Sequence, residues 1–103
     1  MAEVEKALIE IKSEMKKATH NTYAYRLVDE NGINENWDDD GEVRGCAGQP
    51  ILNIIQSFSV FNTLIVVTRY YGRINLGPSG LIRQYSSAAK DLIQRVGLVD
   101  ITT

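Results

Sequence analysis

The run Gly72-Arg73-Ile74-Asn75-Leu76-Gly77-Pro78-Ser79 sets two glycines five positions apart and follows them with Pro and Ser. It lies between a β-forming run and a long amphipathic run, the context of a P-loop. In a P-loop, backbone N–H groups cradle phosphates and a lysine reaches the outer ones. Here Pro78 stands where that lysine belongs, and it also removes one N–H. Nucleoside triphosphate hydrolysis is set aside on that ground, because the lysine is central to the chemistry. A weaker reading keeps an anion at the start of the following helix, where free N–H groups and the helix dipole attract negative charge. Arg69, Arg73 and Arg83 are near enough in sequence to add to it. The plain alternative is a glycine-rich turn with no ligand.

Other constellations are weaker. Gly77–Gly80 and Gly45–Gly48 have the GxxG spacing of an RNA-clamping loop, but neither joins two helices as that clamp requires. Asp38-Asp39-Asp40-Gly41-Glu42 offers oxygen ligands for a hard cation, yet fails the EF-hand positions: the sixth residue is Val43 and the twelfth is Gln49. Cys46 and His20 are the one cysteine and the one histidine. A single pair of that kind does not specify a nucleophile and base. Cys46 reads as a small residue between glycines, and His20 as the end of the first helix.

Charge is unevenly distributed. Net charge is −2, yet seven of the 13 acids fall between Asp29 and Glu42, where no Lys or Arg occurs. From Val43 to Arg95, six basic residues face a single acid, Asp91. Two patches of opposite sign follow from such a split.

The elements that must position these groups are legible from periodicity. Val4, Leu8, Ile11 and Met15 line one face of a helix over residues 3–18. Alternation over 22–28 predicts a strand. Asn31-Gly32 predicts a hairpin turn into a short strand at 33–37. Pro50 opens a helix through Phe58 with Ile51, Ile55 and Phe58 inward. Residues 62–71 form a strand that is apolar on both faces, which predicts a central position with Leu64, Val66 and Val67 buried. A loop over Gly72–Gly80 leads into the longest helix, about 79–96. Its apolar set is Leu81, Ile82, Tyr85, Ala88, Ala89, Leu92, Ile93 and Val96. Leu98–Ile101 completes an edge strand. This order predicts a two-layer α+β domain.

Size and composition agree. The chain has 103 residues, 44% hydrophobic and 23% charged, which suits one globular domain over 1–103. Its longest aliphatic run, Leu64–Val67, is far short of a membrane span. No secretory signal pattern opens the chain, so the expected location is cytoplasmic.

Four segments together resemble the amino-terminal domain of the IMPACT/YigZ family. They are Ala18–Arg26, Asp39–Glu42, Gly45–Leu52, and Val66–Gly72 with Leu76-Gly77, Gly80-Leu81, Arg83, Tyr85-Ser86 and Ala88-Ala89. The resemblance implies a fold similar to a ribosomal-protein and elongation-factor domain, one mixed sheet of about four strands with helices on one face. It also implies a link to translation: eukaryotic relatives act through a protein partner, and nucleic-acid binding is raised by the fold. It brings no catalytic reaction. Departures include Cys46 where the family usually has Thr, Val43 for Pro, Arg73 for Gly and Asn75 for Lys. The family's strand before the first helix and its second domains are absent, which gives the expectation of a bare domain.

The reading is a non-enzymatic binding module linked to translation, with no catalytic residue, cofactor or metal. It contacts a protein or RNA partner, or the ribosome, through Asp39, Asp40, Glu42, Arg69, Tyr70, Gly72, Arg73, Gly77, Gly80 and Arg83. The alternative is a small enzyme or sensor that binds a phosphorylated small molecule at Gly72–Gly80. Asp40, Glu42, Arg69, Arg73 and Arg83 are expected to converge on one face.

Overall fold

The computed structural model describes residues 2–14, 20–69 and 77–96. The order is α1 (Ala2–Glu14), β1 (His20–Asp29), β2 (Gly32–Asp38), α2 (Gly48–Ser57), β3 (Thr63–Arg69) and α3 (Gly77–Val96). The two-layer α+β architecture is as expected.

Three strands form the described sheet in the order β2-β1-β3, with both pairings antiparallel. The expected mixed sheet is corrected. β2 and β3 run parallel to each other, but β1 lies between them and no parallel pair forms among the described residues. The expected fourth strand at 98–101 lies outside the described residues.

The hairpin follows from its turn chemistry. Glu30 and Asn31 are its central residues, and the backbone N–H of Asn31 donates to Oδ1 of Asp29 at 2.8 Å. The left-handed conformation falls on Gly32, at φ 115°, where the absence of Cβ removes the penalty. The turn therefore sits one residue earlier than Asn31-Gly32 as its centre implied.

Among the described strands β1, not β3, is the central one, which corrects the expectation from the sequence. β3 is at an edge of the described sheet, and Leu64, Val66 and Val67 are only half-buried. Only Ile65 of that strand is buried. β1 holds the middle of the described sheet with two buried polar residues, Asn21 and Thr22, because both are paired with β3. The Thr22 hydroxyl, fully buried, donates to the Val67 carbonyl at 3.0 Å. The Thr68 hydroxyl donates to Oδ1 of buried Asn21 at 2.9 Å. Buried polar groups are tolerated when paired in this way.

α2 packs on β1 and β2, and α3 packs on α2 and β3. The core joins Ala24 and Ile65 of the sheet to Ile51, Leu52 and Ile55 of α2 and Leu81, Tyr85, Ala89 and Ile93 of α3. Those four α3 residues step by four and make a narrow stripe. Ile82, Ala88 and Leu92, expected in the apolar face, are exposed instead. In α1 only Val4 is buried, and Met15 lies outside the described residues.

Gly48 opens α2 where it passes closest to the sheet. A Cβ there would lie 2.9 Å from both the Asp38 amide nitrogen and the Trp37 ring. Only glycine lets the helix start this near β2.

Candidate functional site: a carboxylate frame at one end of the sheet

His20 opens β1 and Arg69 closes β3, and the antiparallel register sets them opposite each other on the helix-covered face. His20 is therefore a strand residue, not the end of the first helix. Between β2 and α2 the chain crosses this end of the sheet, bringing residues 39–42 against the pair.

Each acid in this crossing has a distinct internal role. Oδ1 of Asp39 accepts from the N–H groups of Ala47 and Gly48 at 3.2 and 2.8 Å, and Oδ2 accepts from Gly45 at 2.9 Å. Asp39 thus serves the free amides at the start of α2, where a negative charge also suits the helix dipole. Asp40 takes a left-handed φ of 45°, and its N–H donates to Oδ1 of Asp38 at 2.8 Å. Oδ2 of Asp40 accepts from the Asn21 N–H at 2.6 Å, and its carbonyl faces Nδ1 of His20 at 2.7 Å. A Cβ on Gly41 would rest 3.5 Å from the His20 ring.

Glu42 is the hub, with a side chain only 7% exposed. Its Oε2 accepts from Nη1 of Arg69 and from the Tyr85 hydroxyl, the latter at 2.6 Å. Its Oε1 lies 3.5 Å from Nε2 of His20. Burial pushes the Glu42 carboxyl upward, but hydrogen bonds from Tyr85 and Arg69 and the charges of His20 and Arg69 hold it below the usual carboxylate range. The hydrogen bond to Glu42 raises the Arg69 guanidinium, against desolvation. Tyr85 is pushed well above the ordinary phenol range, first by burial and then by the Glu42 carboxylate it donates to. This is a charge-neutralised set in which a proton stays on Tyr85 and off Glu42. It ties together β1, the crossing, β3 and α3.

Among the predicted site residues, Asp39, Asp40, Glu42 and Arg69 are brought together. Arg83 is not. It is exposed on α3, two residues before inward-facing Tyr85, and so on the opposite side of the helix. There it lines an open depression with Gly80, Gln84, Ser87, Ala88 and Asp91. Gly77 and Gly80 lie in the first turn of α3 rather than in a loop. Tyr70, Gly72 and Arg73 lie outside the described residues. His20 and Tyr85 were missed as members of the cluster. The available signal for Tyr85 was a phenol on an otherwise aliphatic stripe, because a buried Tyr hydroxyl needs a partner. No group of three or more His, Cys, Asp or Glu fit to hold a metal occurs among the described residues. No helix among them is long and apolar enough to cross a membrane.

Residues 1–93 match the family model of the Impact N-terminal domain. The chain belongs to the IMPACT family. IMPACT family member YvyE of Bacillus subtilis is 38% identical over 98 residues, covering 95% of this chain and 45% of that protein. Protein IMPACT-B of Xenopus tropicalis is 38% identical over 87 residues, covering 82% of this chain and 26% of that one. A solved structure described as "Crystal structure of an hypothetical protein" superposes with a TM-score of 0.74 at 32% identity, over 87% of this chain and 44% of that one. The chain thus spans less than half the length of these relatives.

Proposed function

We propose that this chain is a non-enzymatic binding module linked to translation or its regulation, and that its partner is a protein. Membership of the IMPACT family supports the link to translation regulation. The observation that carries the binding reading is the Glu42 hub. Its carboxylate is occupied by Arg69 and Tyr85 and faces His20, so these groups satisfy one another. Such an arrangement supports a rigid frame better than it supports a poised acid or base, which needs a proton it can exchange. The frame fixes Arg69 at the point where the chain enters 70–76, and Tyr85 in the helix that follows. The contact surface on this reading is the segment Tyr70–Gly80 with the adjoining acidic crossing.

A protein partner is favoured over RNA by charge. Nucleic-acid affinity rests on free cations against phosphate. Arg69 is neutralised by Glu42, Arg83 faces away from the cluster, and the net charge is −2. The test is co-sedimentation of the purified chain with the translation machinery of a cell extract, with and without ribonuclease. Association that survives ribonuclease and falls with Arg73→Ala supports the reading. Association lost with ribonuclease points to RNA. Saturable binding of inorganic phosphate that Arg73→Ala removes, with no macromolecular association, points to a small-molecule sensor.

A further inference from the structure

The opposite end of the sheet carries a second feature, about 26 Å along β1 from His20, the strand residue beside the Glu42 hub, by eight strand steps of roughly 3.3 Å. Val28 and Ile33 face each other directly across the β1–β2 pair. They are 44% and 55% exposed. They share a face with Arg26, two residues back along β1. Phe61, 43% exposed, sets its ring under the Arg26 guanidinium, 4.0 Å from carbon to centroid. Isolated exposed apolar residues are ordinary, whereas three large ones brought together mark an interaction site.

The patch is also held in place. The Val28 N–H donates to Oδ1 of Asn62 at 3.0 Å, which ties the hairpin to the segment that carries Phe61. Nε of Arg26 lies 3.1 Å from Oε2 of Glu35, and Nε2 of Gln56 donates to that same oxygen at 3.0 Å. A preorganised surface loses little freedom on binding.

Charge selects the occupant. Asp29 and Glu30 are exposed at the hairpin turn. Arg26, the cation of this patch, is already paired with Glu35. No Lys or Arg occurs between Asp29 and Glu42. Glu30 is at the turn tip and Asp29 on the reverse face of β1 from Val28, so this end of the hairpin is negative beside an apolar centre, the layout of a protein interface with a charged edge. It repels phosphate. A second copy docked patch to patch would bring two acidic hairpin ends together, and that like-charge approach disfavours self-association. We propose that the hairpin end, Val28, Ile33 and Phe61 beside the acidic turn at Asp29 and Glu30, docks a protein segment that presents an apolar side chain flanked by lysine or arginine. This surface is at the other end of β1 from the Glu42 hub, and the proposal does not depend on the role assigned to Tyr70–Gly80.

The probe is a synthetic amphipathic peptide of leucine and lysine, with a leucine and glutamate peptide of the same pattern as control. Binding is followed by amide shifts in nuclear magnetic resonance. The lysine peptide is expected to bind and to shift Val28, Ile33 and Phe61. Ile33→Thr is expected to weaken it about tenfold, as loss of a central anchor does. Glu30→Lys is expected to weaken it about threefold at low salt, because the rim charge acts through screened attraction. Both positions are exposed, and unchanged circular dichroism confirms folding. Phe61→Ser provides an independent third variant. Equal binding of the glutamate peptide overturns the proposal. So does an unaltered affinity in all three variants, or shifts confined to other surfaces. Dimerisation abolished by Ile33→Thr would assign the patch to a second copy, and oligouridine shifting the same residues would assign it to RNA.

Discussion

Tyr85 on α3 donates its hydroxyl to Oε2 of Glu42 at 2.6 Å, across 43 positions of sequence. The ring is part of the core, and the oxygen reaches the buried carboxylate at the end of the sheet. Tyr85→Phe keeps the ring and removes only this bond. A hydrogen bond to a charged acceptor contributes about 1.5–3 kcal/mol. Arg69 still serves the same oxygen, so the expected loss is the lower part of that range, about 1.5–2 kcal/mol, read as a lower urea midpoint with an unchanged slope.

Glu42→Ala removes the hub itself and leaves the Arg69 guanidinium and the Tyr85 hydroxyl without their shared acceptor. Breaking a fully buried pair costs about 3–5 kcal/mol. Arg69 keeps 25% of its side chain exposed and can recover some hydration. The expected destabilisation is therefore about 2–3 kcal/mol, larger than that of Tyr85→Phe, and both are measured by the same denaturant titration.

The pH dependence follows from the sign of the Glu42 shift. Its folded value is held below the ordinary 4.5. The folded protein therefore binds this proton less readily than the unfolded chain does. The stability it contributes is present above the unfolded value and lost as pH falls through the lower folded value. Urea midpoints measured from neutral pH down to about pH 3 should show an acid limb that is shallower in Glu42→Gln. An identical limb in both proteins would assign the acid sensitivity to other carboxylates.

Gly48→Ala tests the close approach of α2 to β2. The added Cβ would meet backbone and ring atoms at 2.9 Å, so the helix start or Trp37 must move. Overpacking of this kind costs about 1–3 kcal/mol. It should also shift the fluorescence of Trp37, the single tryptophan, which reports the displacement directly.

Periodicity was a good guide wherever one face of an element meets the core. It located β1, α2 and the Leu81–Tyr85–Ala89–Ile93 stripe. It failed on strand position. Thr63–Arg69 is apolar on both faces and reads as central, yet the hairpin and the α2 crossover put β1 in the middle. Order in a sheet is set by connectivity, which composition does not encode. The polar residues of β1 are accommodated because Val67 and Thr68 of β3 supply their partners. The grouping of Asp40, Glu42 and Arg69 was legible because a strand end and the loop before a helix must share one rim of the sheet. The placement of Arg83 with them was not. Two residues along a helix turn a side chain to the far side, and Tyr85 takes the inward position. His20 was missed because apolar alternation begins only at Thr22, which left the polar first residues of β1 to be read as the end of the helix.

We propose that this chain binds a protein of the translation machinery through the Tyr70–Gly80 segment. The most direct measurement is ribonuclease-resistant co-sedimentation of wild-type and Arg73→Ala chains, with urea stability recorded for both. Association is expected to persist after ribonuclease and to fall about tenfold or more in Arg73→Ala, as loss of an interface arginine does, at unchanged stability. Association abolished by ribonuclease, or equal in the two chains, would contradict it.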